Sequence, residues 1–318
     1  MGYRSHFLLP LLIPHWSITS AILSSESKLH CVLRESQSHE DIILLPLLFS
    51  SANGKPGTFV EIGAYDGHDR AQTWLLEKCF NWTGVLIEAS PQNFAELTRC
   101  NRSSVKVHSA VCNGTGEVTV AGGGGTVAGV IEDFAPSFAR QWSKVRKQCG
   151  GSSCSSRVPC RPLGAIIADA GFPRANFLSL DVEGGEEKVV QTLSKDLHSF
   201  PFDVVMVEAD RHDHARNARV RRLLLDIGLK QRPLPQMPGS QNELFIRPEV
   251  HDVRTKLNHS RALLAALQTS AGKAQARQNL LPLEKSPWTA QLFKSNSALL
   301  LQRLVTGLGE SELEDLLL

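Results

Sequence analysis

Several features that would assign a function at once are absent from this sequence of 318 residues. No G-x-x-x-x-G-K-[ST] run occurs, which argues against a loop that cradles phosphates. Aromatic residues make up only 6% of the chain, and the formal net charge is only +2, without a basic stripe. The composition therefore gives no reason to expect nucleic acid or an acidic lipid surface as a partner.

Long hydrophobic runs are also absent, although the N-terminus is apolar. Arg4 and His6 precede a short apolar core that Pro14 interrupts, and a second apolar stretch over 16–23 ends in serines. A membrane-spanning helix needs ~20 apolar residues, so this pattern favours a signal peptide or weak signal anchor over residues 1–27. It predicts the secretory pathway (ER or Golgi lumen, or secretion) with weak membrane association at most; import into an organelle is the alternative.

No C-x-x-C pair occurs, yet the chain has seven cysteines. Cys149, Cys154 and Cys160 lie in a loop rich in glycine and serine that contains no histidine, and their spacings differ from those of zinc sites. We therefore expect disulfides rather than free thiols or a metal, with at least one cysteine left over. N-x-[ST] sequons, which favour the same compartment and a glycoprotein, occur at Asn81, Asn101, Asn113 and Asn258.

The most informative segment present is a predicted buried strand over 58–62, which contains Glu61 and is followed by a turn with Gly63 and Gly67. A helix is predicted over 70–80. The spacing is E-x-G-x-x-x-G, which is not the dinucleotide fingerprint G-x-G-x-x-G. An acidic residue in this position suits a ligand with a positive end better than a pyrophosphate.

A second predicted strand, over 84–88, ends in Glu88. Ser90 is placed to cap a helix that begins at Pro91. A carboxylate at the tip of the second strand can accept hydrogen bonds from both ribose hydroxyls of a nucleotide. The two strands together predict a ligand that contains a nucleoside.

Four runs of sequence now carry a resemblance: SQSHED, TFVEIGAYDG, GVLIEASPQNF and FLSLDVEGGEE. In this order the chain resembles the FkbM family of S-adenosylmethionine-dependent methyltransferases over about residues 36–247. The resemblance implies a Rossmann-like α/β fold of the class I methyltransferase type, with a mostly parallel seven-stranded sheet flanked by helices. It also implies S-adenosylmethionine as cofactor and a hydroxyl of a glycan or small molecule as acceptor. The family's usual Ser-Asn-Thr appears here as Ala71-Gln72-Thr73.

Candidate site residues follow from the strand ends and from the resemblance. Asp181, at the end of the fourth main strand, is predicted to orient the acceptor or bind the cofactor, and His212 is predicted to act as a base at neutral pH. Glu183, whose alternative role is to start a helix, lies on the same side. A divalent metal held by Asp181, Asp210 and Asn242 is a less favoured alternative, and we expect none. The predicted cofactor contacts are Glu61, Gly63, Ala64, Gly67, Glu88, Ala110 and Asp181.

The remaining pattern divides the chain into a lead-in over 28–57, a methyltransferase domain over 58–250 and a helical extension over 251–318. A helix over 40–49 is expected above the cofactor pocket, and residues 134–162 are expected to form a polar insertion with cysteines. Further strands are predicted over 106–111, 117–120, 176–180, 204–207, 229–231 and 243–246. Further helices are predicted over 163–170, 186–193, 215–227, 253–267 and 297–308.

Two other hypotheses compete with an O-methyltransferase. A non-catalytic secretory or membrane-associated factor could keep the fold for partner binding, as the altered Ala71-Gln72 and the cysteine-rich insertion suggest. A nicotinamide-dependent dehydrogenase is the other alternative. The sequence gives no indication of the oligomeric state.

Overall fold

A computed structural model describes residues 40–53, 55–121, 125–140, 155–234 and 241–251. The predicted leader over 1–27 and the predicted helices over 253–267 and 297–308 lie outside these residues. In the described part of the chain, no helix has the length and hydrophobicity needed to cross a membrane.

The main elements alternate between strands and helices along the chain. In order they are α1 (Glu40–Ser51), β1 (Thr58–Ile62), α2 (Trp74–Phe80), β2 (Thr83–Glu88), α3 (Pro91–Arg99), β3 (Val105–His108), β4 (Ala110–Val111), β5 (Gly116–Ala121), β6 (Gly129–Val130), β7 (Ser155–Arg161), α4 (Leu163–Asp169), β8 (Ala175–Leu180), α5 (Glu186–Gln191), β9 (Phe202–Glu208), α6 (His214–Ile227), β10 (Lys230–Arg232) and β11 (Asn242–Ile246). Short 3-10 turns follow β6 (Ile131–Asp133) and β11 (Pro248–His251).

Seven of these strands form one sheet in the order β10-β11-β9-β8-β1-β2-β3. The five strands from β3 to β9 in this order are parallel, and β11 and β10 are antiparallel additions at one edge. The strand order reverses between β1 and β8, and in open α/β sheets ligands bind beside such a point, at the carboxyl ends of the strands. The predicted mostly parallel, seven-stranded α/β fold is confirmed.

Both faces of the sheet are buried, as a parallel sheet requires. Val60 and Ile62 of β1 point to one face and pack in a cluster with apolar residues of α4, α5 and α6. Phe59 points to the other face, where α1, α2 and Trp82 cover it. The alternation along β1 explains why Glu61 lies on the same face as Phe59.

A second, smaller sheet has the order β4-β7-β5-β6 and was not predicted as such. The predicted strand over 106–111 is two strands, because the chain leaves β3 at Ser109 and pairs Ala110 with Cys160 of β7. The last part of the predicted polar insertion over 134–162 forms β7, which pairs with both β4 and β5. Cys149 and Cys154 lie outside the described residues.

One predicted helix begins later than expected. The helix predicted over 70–80 starts only at Trp74, because Arg70 has a left-handed backbone (φ 57°) that no helix accommodates. The other predicted elements within the described residues agree with the structure to within about two residues at each end, as such boundaries usually do.

The expectation of disulfides is confirmed for one described pair, Cys112 and Cys160, which joins β4 to β7. Cys79 is also disulfide-bonded, and Cys100 is a free thiol. We expect the paired change Cys112→Ala with Cys160→Ala to lower the free energy of unfolding by about 2–4 kcal/mol, because the cross-link restricts the unfolded chain. Urea unfolding without reductant measures this. Cys100→Ala is the control, and an equal loss in that variant would contradict the prediction.

Candidate functional site at the carboxyl edge of the sheet

The turn between β1 and α2 crosses the carboxyl edge of the sheet in an unusual conformation. Gly63 has φ +83°, and a Cβ atom added there would lie 1.8 Å from the backbone oxygen of Asp181. Only glycine can therefore bring this turn against the tip of β8. Gly67 (φ +73°) has a different role, because its missing Cβ makes room for the side chains of Leu97 and Cys100.

Glu88, at the end of β2, holds the first part of this turn. Its two carboxylate oxygens accept hydrogen bonds from the backbone N–H groups of Tyr65 (2.8 Å) and Ser90 (2.7 Å). Burial nevertheless raises the pKa of Glu88 to about 7, although these hydrogen bonds oppose the change. The side chain of Asn93 and the backbone of Ala89 also hydrogen-bond to this carboxyl and act to lower its pKa.

Glu61 holds the last part of the same turn. One oxygen accepts a hydrogen bond from the backbone N–H of Gln72 (2.7 Å), and the other accepts one from the hydroxyl of Thr73. Burial raises the pKa of Glu61, while the guanidinium of Arg102 (3.9 Å) acts in the opposite direction. Glu61 therefore fixes the backbone at the end of the turn. Its predicted contact with a cofactor stays a prediction.

Arg102 is a site residue that the sequence did not reveal. Its buried guanidinium donates hydrogen bonds to Glu77 (2.8 Å), to the backbone oxygen of Gly67 (3.0 Å) and to Thr73 (2.8 Å). It thereby ties the turn to α2. Nothing in the sequence around position 102 marks this role, because the partners lie 25 to 35 positions away.

A cleft lies beside this turn, between the main sheet and the small sheet. It contains about 440 Å³ of space between atoms, including the part open to solvent. Three predicted cofactor residues line it: Gly63, Glu88 and Ala110. Ala64 does not, because it is buried in the core below the turn. Glu61, Gly67 and Asp181 are likewise not among the lining residues.

Part of the cleft wall comes from segments to which the sequence gave no role. The β6 region contributes Ala128, Gly129, Val130 and Asp133, and the segment after β8 contributes Val182 and Gly185. These residues meet Glu88 only because the small sheet folds back beside the carboxyl ends of the main strands. Gly129 could not be identified from the sequence, because its close approach to Phe134 and Glu183 is visible only in the tertiary structure.

Acidic side chains gather at the tips of β8 and β9. Asp181 and Glu208 are hydrogen-bonded to each other, and burial raises the pKa of both carboxyls. Two carboxylates in hydrogen-bond contact cannot both ionise, and Glu208 is the one that donates the hydrogen bond to Asp181. Glu183 lies beside them with a left-handed backbone (φ 56°), and burial together with the charge of Asp181 raises its pKa to about 8.

His212 and Asp210 lie on the loop after β9 and face other partners. His212 is exposed, its ring contacts Phe138 (5.3 Å between centroids), and its Nδ1 lies 3.1 Å from the hydroxyl of Ser137. Asp210 accepts hydrogen bonds from Arg216 (2.7 Å) and from the backbone of His212. No hydrogen bond joins His212 to Asp181 within the described part of the chain, so the two predicted catalytic residues do not form a pair.

The alternative metal set does not assemble. Asp210 is taken by Arg216, and the amide of Asn242 donates a hydrogen bond to Glu40 of α1 (2.9 Å). Among the residues that the structure describes, no group of three or more His, Cys, Asp or Glu side chains is arranged to hold a metal ion. Glu40 also acts electrostatically on Asp181, so the start of α1 lies near the tip of β8. The expected position of this helix above the cofactor pocket stays a prediction.

Comparison with known proteins identifies the family. The model of the methyltransferase FkbM domain matches residues 61–260, and the chain therefore belongs to the FkbM methyltransferase family. No curated protein matches it significantly.

Two solved structures are similar to this chain. The crystal structure of methyltransferase FkbM from Methylobacillus flagellatus has 16% sequence identity and a TM-score of 0.39, and the match covers 60% of this chain and 43% of that one. The SAH-bound methyltransferase PaMTH1 from Podospora anserina has 12% identity and a TM-score of 0.32, with coverages of 76% and 99%. This chain thus spans less than half the length of the Methylobacillus protein.

The raised pKa of Glu183 predicts a pH dependence of stability. The folded protein holds this proton more tightly than the unfolded chain, whose value is near 4.5. The resulting stabilisation is complete below that pH and is lost as the pH rises through about 8. From about pH 5 to pH 9, we therefore expect the free energy of unfolding of wild type to fall by about 1–3 kcal/mol more than that of Glu183→Gln. Urea unfolding measures both. Glu132→Gln, at an exposed glutamate in the 3-10 turn after β6, is the control. If the free energy of unfolding varied with pH in the same way in wild type and in Glu183→Gln, the assignment would be refuted.

Proposed function

We propose that this protein transfers a methyl group from S-adenosylmethionine to a hydroxyl of a glycan or a small molecule. The observation that carries the proposal is the arrangement at the strand-order reversal. A cleft there has a buried carboxyl at the tip of β2, and a hydrogen-bonded carboxyl pair lies at the tips of β8 and β9.

The cleft suits the nucleoside part of the cofactor. Glu88 lines it, and a carboxylate is the group that can accept hydrogen bonds from ribose hydroxyls. Ile62, Ile87 and Val111 add apolar surface, on which a purine ring can pack. Gly63 lines the cleft at the same edge of the sheet.

The acidic strand tips suit the rest of the reaction. S-adenosylmethionine supplies a positively charged sulfonium with an electrophilic methyl group. Acidic side chains near this end favour a cation. We infer that Asp181 holds the acceptor hydroxyl and accepts its proton, and that the hydrogen bond with Glu208 keeps the carboxylate of Asp181 oriented. Positioning of the two reactants supplies most of the remaining rate enhancement in such a displacement.

The secretory pathway remains our proposal for the location. A described disulfide supports it, because cross-links of this kind persist in oxidising compartments. The sequons at Asn81, Asn101 and Asn113 all lie on exposed residues, which glycosylation requires. Expression of the full chain in cultured eukaryotic cells tests this. We expect a mobility shift after glycosidase treatment, and an unshifted protein in the cytosolic fraction would contradict the proposal.

Two measurements on the full chain test the activity. Calorimetry with S-adenosylhomocysteine (SAH) should give a dissociation constant in the micromolar range, about −8 kcal/mol. Transfer of an isotope-labelled methyl group to a panel of glycans and hydroxylated small molecules should then reveal the acceptor class. A folded protein that does not bind SAH would overturn the proposal. Binding without transfer to any acceptor would instead favour the non-catalytic alternative.

A further inference from the structure

The side chain of Gln72 is polar, buried and without a partner. It is only 8% exposed, and its Oε1 atom accepts no hydrogen bond within the described part of the chain. Its backbone N–H is bound by Glu61, which fixes where the residue lies. Buried polar atoms in folded proteins almost always have a partner, so an unpaired one at a candidate site points to a missing ligand.

The other buried unpaired atoms lie outside the turn that carries Gln72. The indole nitrogen of Trp82 lies in the hydrophobic cluster around β1, with Phe49 against the ring. The unpaired atoms of Glu186 and Arg216 face each other at 3.6 Å as an ion pair. Among the atoms in this group, the Gln72 oxygen alone lies on the turn between β1 and α2.

The placement of Gln72 indicates which part of a ligand it meets. The turn that carries it begins beside Glu88, which binds Tyr65, and ends beside Glu61, which binds Gln72. Gly63 presses this turn against the tip of β8, and the charge of Arg70 acts on Asp181. Gln72 is not among the residues that line the cleft. A ligand whose ribose lies on Glu88 must therefore extend beyond the cleft, along the turn, to reach Gln72 and the acidic tips of β8 and β9.

We propose that the side-chain amide of Gln72 binds the amino-acid end of the cofactor, an inference that rests on the function proposed above. That end is a zwitterion with an ammonium donor and a carboxylate acceptor. A side-chain amide offers one acceptor and two donors, so Oε1 accepts from the ammonium and Nε2 donates to the carboxylate. Gln72 thereby sets where the methyl-bearing sulfur lies relative to Asp181.

A comparison of two ligands tests this assignment. SAH carries the amino-acid end, and 5′-methylthioadenosine has the same nucleoside without it. By calorimetry, we expect Gln72→Leu to weaken SAH about tenfold and to change the affinity for 5′-methylthioadenosine less than about twofold. The control is Gln191→Leu, at an exposed glutamine on α5, which should leave both affinities unchanged.

The outcomes separate this inference from the proposed function. If wild type binds neither ligand, the proposed function fails. If wild type binds both and Gln72→Leu weakens both equally or neither, the role of Gln72 is structural and the inference is overturned. Should Gln72→Leu not fold, Gln72→Glu keeps the acceptor and replaces the donor with a negative charge. That variant should weaken SAH at least about tenfold more than decarboxylated SAH, and equal losses would overturn the inference.

Discussion

Glu88→Gln is expected to weaken the binding of SAH by about 100-fold. The carboxylate accepts two backbone hydrogen bonds. By our proposal it also accepts the ribose hydroxyls, whereas an amide presents a donor where acceptors are needed. Hydrogen bonds to a charged group contribute about 1.5–3 kcal/mol each, so the loss of one or two gives an effect of this size. Calorimetry on the folded variant measures it.

Two controls make this result specific to Glu88. Glu96→Gln, at an exposed residue of α3, should bind SAH like wild type. The pKa of Glu88 in the free protein is about 7, so the affinity of wild type should rise about tenfold from pH 6 to pH 8 as the carboxylate ionises. Glu88→Gln should show no such rise. If its affinity and pH profile matched those of wild type, Glu88 would have no role in ribose binding.

Asp181→Asn is expected to reduce the rate of methyl transfer by about 10²–10⁴-fold while SAH binding falls much less. An asparagine can still orient the acceptor hydroxyl, but it cannot take the proton. Glu208 would lose its carboxylate partner as well. The measurement is the initial rate at saturating cofactor with the best acceptor from the panel.

The same assay decides whether Asp181, as proposed here, or His212, as predicted from the sequence, is the base. Asp196→Asn, at an exposed aspartate far from the strand tips in sequence, is the matched control and should keep the wild-type rate. His212→Gln should also keep most of the rate, because His212 is exposed and contacts Ser137 and Phe138 rather than Asp181. Normal turnover by Asp181→Asn with loss in His212→Gln would reverse the assignment.

Local pattern was enough to predict most of the main sheet. Strands such as β1 and β9 are continuous apolar runs, because a strand buried on both faces has no polar positions until its tip. For the same reason, the acidic residues in or directly after β1, β2, β8 and β9 were expected to mark the ends of these strands. Parallel strands end at one edge of the sheet, so these acids were expected to gather there, as Asp181 and Glu208 do.

The small sheet and the roles of the acids were not predictable in the same way. β7 pairs with β4 and β5 across sequence distances of 34 to 50 residues. Its sequence, SSRVPCR, has the serines and the proline that are typical of a loop. Glu61 was expected beside a ligand, but both of its oxygens are occupied by the turn and by Arg102. Such partners are chosen by long-range packing.

The sequence alone determined the order of strands and helices, the glycine turn after β1 and the acidic residues at the strand ends, because these depend on hydrophobic periodicity and local backbone sterics. Tertiary structure alone decided which acids shape the turn and which line the cleft, how the small sheet closes one side of it, and that Gln72 is buried without a partner. The physical reason is that burial, desolvation and hydrogen-bond partners arise from contacts between segments far apart in the chain, which no local pattern records.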